Sequence, residues 1–431
     1  MNIDSANNKG ASATGGMKKY SVFLFVILLI ALLLRIIIAP QRFLEAKGDT
    51  VLFELWGYSA HQNGLMNVYE HSIDHPLFFN VAKPNYLPPY MYSLWFLEWI
   101  HNKFEKVGEV LTPTASYIFK SPAIIFDILT AFFLAWIVRK RFGDKWALIV
   151  AGLYAFHPAV IFESAGWGQI DSINTFSMIL CVWLMSRKSY LWATAIFILA
   201  FFIKMQSLVL LPLLFYELIK NAPIKKLFQA FFVGIGSSVL LCLPFFIAGK
   251  ATQVFSVIFT SPGTYKFLSA NAFNFWWLFS GGYWTNQADT QRIFGVQLLA
   301  IGALLFFAAI GFALWFRSRI KNEAGLWLTS AFLAFAFFML PTEMHERYLF
   351  PIFALLLPVL PLLKKVRWLY CILTITFTWN LILVFIILKE SYNQKLGNFW
   401  GGSFFVALVN VLVFILAIIW YTKMARKREL I

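Results

Sequence analysis

Charge is scarce in this chain. Only 13% of its 431 residues are Asp, Glu, Lys or Arg, which excludes the surface of an ordinary soluble domain, where about a quarter of residues are charged. Cysteine is scarcer still. Cys181, Cys242 and Cys371 all sit inside apolar runs, where a thiol behaves as a small hydrophobe, so no disulfide, metal cluster or cofactor is expected. No internal repeat of 20 to 50 residues is evident either, which argues against a solenoid.

Apolar and aromatic residues fill the space that charge leaves. They make up 60% and 19% of the chain, and the mean hydropathy is +0.71. Apolar runs of membrane-spanning length recur from 21–38 to 402–421. Lipid forces each backbone group to find its partner within the protein, so such runs form helices. A β-barrel would instead show short alternating segments. The net charge of +16 does not point to nucleic acid, because the basic residues lie in short runs between apolar segments and not on one basic face.

Those short runs orient the chain, since basic loops resist translocation. With the N-terminus inside, the cytoplasmic segments are 1–19, 139–145, 187–188, 220–226, 317–321, 364–367 and 423–428, and they hold most of the 36 Lys and Arg residues. The fold class is all-α, a polytopic bundle of about 12 spans with a long helical first outer loop. The spans fall near 20–40, 121–138, 146–163, 173–186, 190–203, 206–219, 227–247, 295–316, 324–340, 349–363, 367–388 and 403–422. Several fall short of the roughly 20 residues that lipid exposure demands, so they belong inside the bundle or beside a water-filled cavity.

Residues 1–19 read as a disordered cytoplasmic tail and 20–431 as one transmembrane domain. Residues 41–120 form the first outer loop, with 87–100 as a helix on the outer surface, and 249–294 form a second long one.

Polar residues that packing does not explain converge on the outer face of this topology. Asp49 follows the first span and precedes the helical run Phe53-Glu54-Leu55-Trp56, so it suits both a helix N-cap and a general base for a hydroxyl. Lys204 stands at the tip of a short helical hairpin, as a snorkelling lysine or a functional cation. Arg347 carries a fork that fits phosphate and His345 can donate to the same group, while Glu343 or Glu346 can instead pin Arg347 locally. Trp167, Gln169 and Asp171 share a tight Gly-rich turn, and Gln169 and Asp171 can hydrogen-bond sugar hydroxyls. Tryptophans can stack on pyranose faces or form an interfacial belt.

In order along the chain, the Asp49 region, Tyr86-Leu87-Pro88-Pro89, Trp167-Gly168-Gln169-Ile170-Asp171-Ser172, Lys204-Met205-Gln206, Asn271 to Trp277, and His345-Glu346-Arg347-Tyr348 resemble the glycosyltransferase C superfamily. The likeness is to bacterial relatives of its dolichyl-phosphate-mannose-type mannosyltransferases. It implies an integral enzyme, in a bacterial inner membrane, that moves a monosaccharide from a polyprenyl-phosphate donor to a glycan, lipid or protein acceptor. Transfer would take place on the periplasmic or outer side, with inversion and without a metal.

The resemblance makes Asp49 the catalytic aspartate. Lys204, Arg347 and His345 then face the donor phosphate, and Tyr86, Trp167, Gln169, Asp171, Asn274 and Glu346 the sugar or acceptor. Met205 stands where that family often has proline.

Two rivals carry different expectations. A lipid-linked-sugar flippase or secondary transporter needs functional charges at mid-bilayer, where Asp127 is the conspicuous one. An oligosaccharide polymerase or ligase shares the lipid donor and differs in its acceptor. No nucleic-acid partner is expected.

Overall fold

The computed structural model describes residues 4–41, 49–70, 72–260, 263, 265–280, 288–390 and 400–429. In chain order the helices are α1 (Asp4–Ile38), α2 (Asp49–Gln62), α3 (Pro88–His101), α4 (Pro113–Ala155), α5 (Pro158–Ile161), α6 (Asp171–Ser186), α7 (Tyr190–Ile203) and α8 (Leu211–Asn221). They continue as α9 (Ile224–Ile247), α10 (Ala251–Thr260), α11 (Trp277–Ser280), α12 (Leu298–Arg319), α13 (Glu323–Met339), α14 (Pro351–Leu356), α15 (Lys364–Glu390) and α16 (Trp400–Lys427). Among the described residues, strand is limited to two antiparallel hairpins, β1 (Ile73–His75) with β2 (Phe78–Val81) and β3 (Arg292–Ile293) with β4 (Val296–Gln297).

Six described helices are long and apolar enough to cross a membrane: Lys19–Ile38, Pro113–Ala155, Ile224–Ile247, Leu298–Arg319, Lys364–Ile386 and Gly402–Lys427. The expected crossing 146–163 falls mainly on the second limb of α4, and the others coincide with shorter helices. Among these, α13 is apolar around its whole circumference and almost wholly buried, and α14 is fully buried, as expected for segments that never meet lipid. The lipid-length helices behave oppositely. Phe231, Phe232, Phe307, Phe405 and Leu416 stand exposed on α9, α12 and α16.

Two local expectations change. Helix α1 begins at Asp4, inside the segment expected to lack structure, because extending a started helix costs far less than nucleating one. Residues 139–145, expected as a loop, stay helical except at Gly143, whose φ of +79° turns the chain at one residue and divides α4 into two limbs. Arg139 bonds Asp144 at 2.7 Å and stacks over the Tyr20 ring, fixing that corner.

The segment expected as the first outer loop carries α2, α3 and the β1–β2 hairpin among its described residues. Helices α2 and α3 pack through Phe53 and Tyr90, and the Tyr92 hydroxyl donates to the Leu241 carbonyl of α9 at 2.8 Å. The helix expected over 87–100 is α3, with Met91 and Leu94 buried and Trp95, Phe96 and Trp99 exposed.

Helix direction sorts the ends. Basic residues close α6 at Arg187, α12 at Arg319 and α16 at Lys427, and they open α15 at Lys364. The opposite end of α6 meets the C-terminus of α7 through Asp171 and Lys204.

Candidate active site

Asp49 opens α2, and its half-buried carboxylate accepts a hydrogen bond from the Gln169 side chain. The next residue, Thr50, donates to the Trp167 carbonyl at 2.5 Å. The turn that carries Trp167 and Gln169 is thus stitched to the helix that carries Asp49. Lys120 of α4 fixes the other side of that turn: its ammonium donates to the carbonyls of Ala39, Ala165 and Gly166 at 2.8, 3.1 and 2.9 Å. Gly168 closes the turn at φ +87°, where a Cβ would lie 2.5 Å from the Thr50 hydroxyl, so only glycine fits.

The chain reaches this turn through a π-helical segment, Phe162–Trp167, in which the Gly168 N–H reaches back to the Glu163 carbonyl at 2.9 Å. Such wide turns re-aim side chains and are frequent at functional sites.

Lys204 ends α7, and Asp171 begins α6. They form a buried pair, with Nζ 2.6 Å from both carboxylate oxygens, and the Lys204 ammonium also lies 5.3 Å from the Tyr348 ring centre. Asp171, expected to meet sugar or acceptor, is therefore the partner of Lys204. A lone lysine in so apolar a place costs far more than a pair, and that explains the pairing.

The segment 345–347 repeats this arrangement. The Arg347 Nη1 donates to Glu346 at 2.7 Å, and the guanidinium sits 5.6 Å from the Trp167 ring centre. Glu346, also expected to meet sugar or acceptor, is first of all the counter-ion of Arg347. Burial, the largest single influence, pushes the Glu346 carboxyl toward its neutral form, but the Arg347 guanidinium, the His345 ring and a backbone hydrogen bond together outweigh it and hold the group at about 2. For His345, burial first and Arg347 second disfavour the imidazolium and lower its pKa, so the ring stays neutral and can donate one N–H. Tyr265 meets the His345 ring edge-on at 4.5 Å.

The segment 268–277 is the scaffold behind these groups. Ala270 and Ala272 donate to the Met344 carbonyl at 2.9 and 3.2 Å, which fixes the loop that carries His345. Asn274 is fully buried. Its oxygen accepts from the Trp276 and Trp277 backbones, and its amide donates to the Phe338 carbonyl. Its polar capacity goes into holding the turn, which corrects its expected place among the ligand-facing groups. Tyr86 is half-buried in a ring cluster with Phe53, Trp56 and Tyr90, and acts electrostatically on Arg347.

Asp49, Tyr86, Trp167, Gln169, Asp171, Lys204, His345, Glu346 and Arg347 are thus brought into one region, although they come from segments far apart in sequence. Sequence reasoning missed Glu163. It is wholly buried and acts electrostatically among Asp171, Lys204, Arg347 and Glu346. An acid inside the apolar run 158–163 was the signal that could have found it.

No protein-family model matches the chain, and no curated protein matches it. Solved structures do resemble it. ArnT from Cupriavidus metallidurans bound to undecaprenyl phosphate is 13% identical, with 96% of this chain and 78% of that chain covered and a TM-score of 0.48. The apo state of the same protein gives 14% identity, 94% and 77% coverage, and a TM-score of 0.46. The archaeal oligosaccharyltransferase AglB from Archaeoglobus fulgidus, in complex with an inhibitory peptide and a dolichol-phosphate, is 13% identical over 94% of this chain and 56% of that chain, with a TM-score of 0.38. A likeness of that size leaves the activity to be argued from the chain's own residues.

Proposed function

We propose that this integral membrane protein is a glycosyltransferase that moves a monosaccharide from a polyprenyl-phosphate carrier to an acceptor hydroxyl on the non-cytoplasmic side. The observation that carries the reading is the meeting of Asp49 with Arg347, Lys204 and His345 in one partly closed polar site within an apolar bundle.

The chemistry balances with these groups. Asp49 takes the proton of the acceptor hydroxyl while the acceptor oxygen attacks the anomeric carbon from the face opposite the carrier, giving inversion. The carbon–oxygen bond to phosphate breaks, and its electron pair leaves with the polyprenyl phosphate. Arg347 and Lys204 stabilise that developing charge, and the neutral His345 adds one donor. Each cation already faces an acid, so the electrostatic gain comes from fixed dipoles and from the edge of Arg347 that Glu346 does not occupy. The lipid tail stays in the bilayer, which accounts for an enzyme built from membrane helices.

The sugar is proposed to be a hexose, mannose among the candidates, and the acceptor a glycan, lipid or protein. The setting is the bacterial inner membrane, with the site toward the periplasm or exterior. Transport is the less favoured reading. Its expected mid-bilayer charge, Asp127, has both oxygens occupied by Arg35, Ser164 and Ser172.

Purified full-length protein, incubated with a panel of radiolabelled polyprenyl-phosphate hexoses, should transfer label in the presence and absence of EDTA. Asp49→Asn should reduce transfer by about 10²- to 10⁴-fold, the range typical of a removed general base. Full activity in the variant removes Asp49 from that role. Loss of wild-type activity in EDTA contradicts metal-free transfer, and lipid movement across proteoliposomes without transfer favours the transport reading.

A further inference from the structure

Among the described residues nineteen buried polar side-chain atoms lack a hydrogen-bond partner, and six of them belong to residues in or beside this site. These six are both carboxyl oxygens of Glu163, the indole nitrogen of Trp167, the amide oxygens of Gln169 and Gln206, and Nε of Arg347. Native proteins leave few such atoms, because each forfeits its bonds to water for nothing in return. Those of Glu163, Trp167, Gln169, Gln206 and Arg347 lie around the same buried charges, and together they point to a ligand that completes them.

The make-up of the set names the ligand's chemistry. Trp167 Nε1 and Arg347 Nε can only donate, whereas the oxygens of Gln169, Gln206 and Glu163 are acceptors. A phosphate offers acceptors alone and satisfies only the first two. Hydroxyl groups both donate and accept, so a polyol satisfies the mixture. Glu163 is the group furthest from satisfaction. It is 0% exposed, both of its oxygens lack a partner, and its charged neighbours are engaged with one another, Lys204 with Asp171 and Arg347 with Glu346. A buried carboxyl in that state is costly unless something bonds to it.

We propose that Glu163 is a specificity residue whose carboxyl group binds two neighbouring ring hydroxyls of the donor's sugar. This rests on the glycosyltransferase reading above and narrows the substrate class to sugars with a free vicinal diol. Two oxygens on one carbon match the spacing of two adjacent hydroxyls, and they do so in either protonation state, since hydroxyls serve as donors and as acceptors. Glu163 lies in the π-helical segment that also carries Trp167, among the charges of Asp171, Lys204, Arg347 and Glu346.

The test uses the full chain in lipid nanodiscs, the polyprenyl-phosphate hexose that the wild type accepts best, and its monodeoxy forms at each ring position. In the wild type, kcat/KM should fall about 10- to 100-fold for two adjacent deoxy positions, the size of a hydrogen bond to a charged or strongly polar group. Glu163→Gln should lower kcat/KM for the intact sugar by a similar factor and flatten those two penalties. Its affinity for polyprenyl phosphate that carries no sugar should remain at the wild-type level.

An unchanged deoxy profile in Glu163→Gln overturns the proposal, as does a wild type that pays no penalty at any adjacent pair. Should Glu163→Gln fail to fold, Glu163→Asp, one methylene shorter, must shift the same two penalties. A wild type that transfers no hexose at all overturns the glycosyltransferase reading instead. Direct binding then decides Glu163: a preference for the sugar-bearing lipid over the bare one that Glu163→Gln loses upholds it, and equal binding by wild type and variant overturns it.

Discussion

Two buried polar regions lie side by side in this bundle, and their hydrogen-bond accounts differ. In the first, Arg35 of α1 meets Asp127 of α4 at 2.8 Å, Ser164 and Ser172 donate to the same carboxylate at 2.5 and 2.6 Å, and Arg35 also donates to the Ala31 and Ala155 carbonyls. Both Asp127 oxygens are taken, and among these four side chains Nη2 of Arg35 is the atom left over. In the second, the region of Asp49, Glu163, Trp167 and Arg347, acceptors and donors remain open. Adjacent residues divide between the two. Ser164 bonds Asp127 while Glu163 lies among the site's charges, and Ser172 bonds Asp127 while Asp171 bonds Lys204. A network that closes on itself holds helices together, whereas one that stays open is built to receive something.

The largest effect should come from the closed network. Arg35→Met strands the Asp127 carboxylate and should cost about 3–5 kcal/mol of stability, read by thermal unfolding in detergent, while Arg35→Met with Asp127→Leu should recover most of it. A single variant as stable as wild type breaks the comparison. In the open region, Arg347→Lys keeps the charge but loses the fork, and transfer should fall about 10²- to 10³-fold with little change in melting temperature. A large drop in melting with normal turnover would move Arg347 into the structural class.

Gly168→Ala tests the join between the two regions. Its Cβ must displace Thr50 or Lys120, and φ of +87° adds strain, for a cost of about 1–3 kcal/mol and a loss of transfer as Gln169 moves from Asp49. Unaltered stability would show that the turn is loose.

The smallest effect concerns pH. The folded pKa of His345 lies below its unfolded value, chiefly through burial and then through Arg347, so its contribution to stability is present above the unfolded pKa and lost as pH falls below it. Glu346, held at about 2, has the same sign, but its loss begins only as pH falls through the ordinary carboxylate range and is complete near the folded value. Melting temperature should therefore decline from pH 7 to pH 5, and His345→Asn should flatten that slope. An identical slope in the variant would assign the decline to other groups.

Much of the site is legible in the sequence because polar residues stand out in so apolar a chain. Asp49, Gln169, Asp171, Lys204 and the 345–347 segment are all visible as breaks in hydropathy. Their partners are less so. Arg35 lies inside the first apolar run and Glu163 at the end of another, where the surrounding hydrophobes mask them. Asn274 has the opposite history, because a polar residue in an aromatic loop looks available until its backbone contacts are seen.

Hydropathy is a property of each segment taken alone, so the sequence by itself determined that this chain forms membrane helices and which ends of them carry basic residues. Pairing is a property of two segments. Arg35 and Asp127 are 92 residues apart, and Asp171 and Lys204 are 33 apart. Which charge cancels which, and which polar atoms stay open, was decided only by tertiary packing, because in a low-dielectric interior each charge takes the nearest partner that folding brings to it.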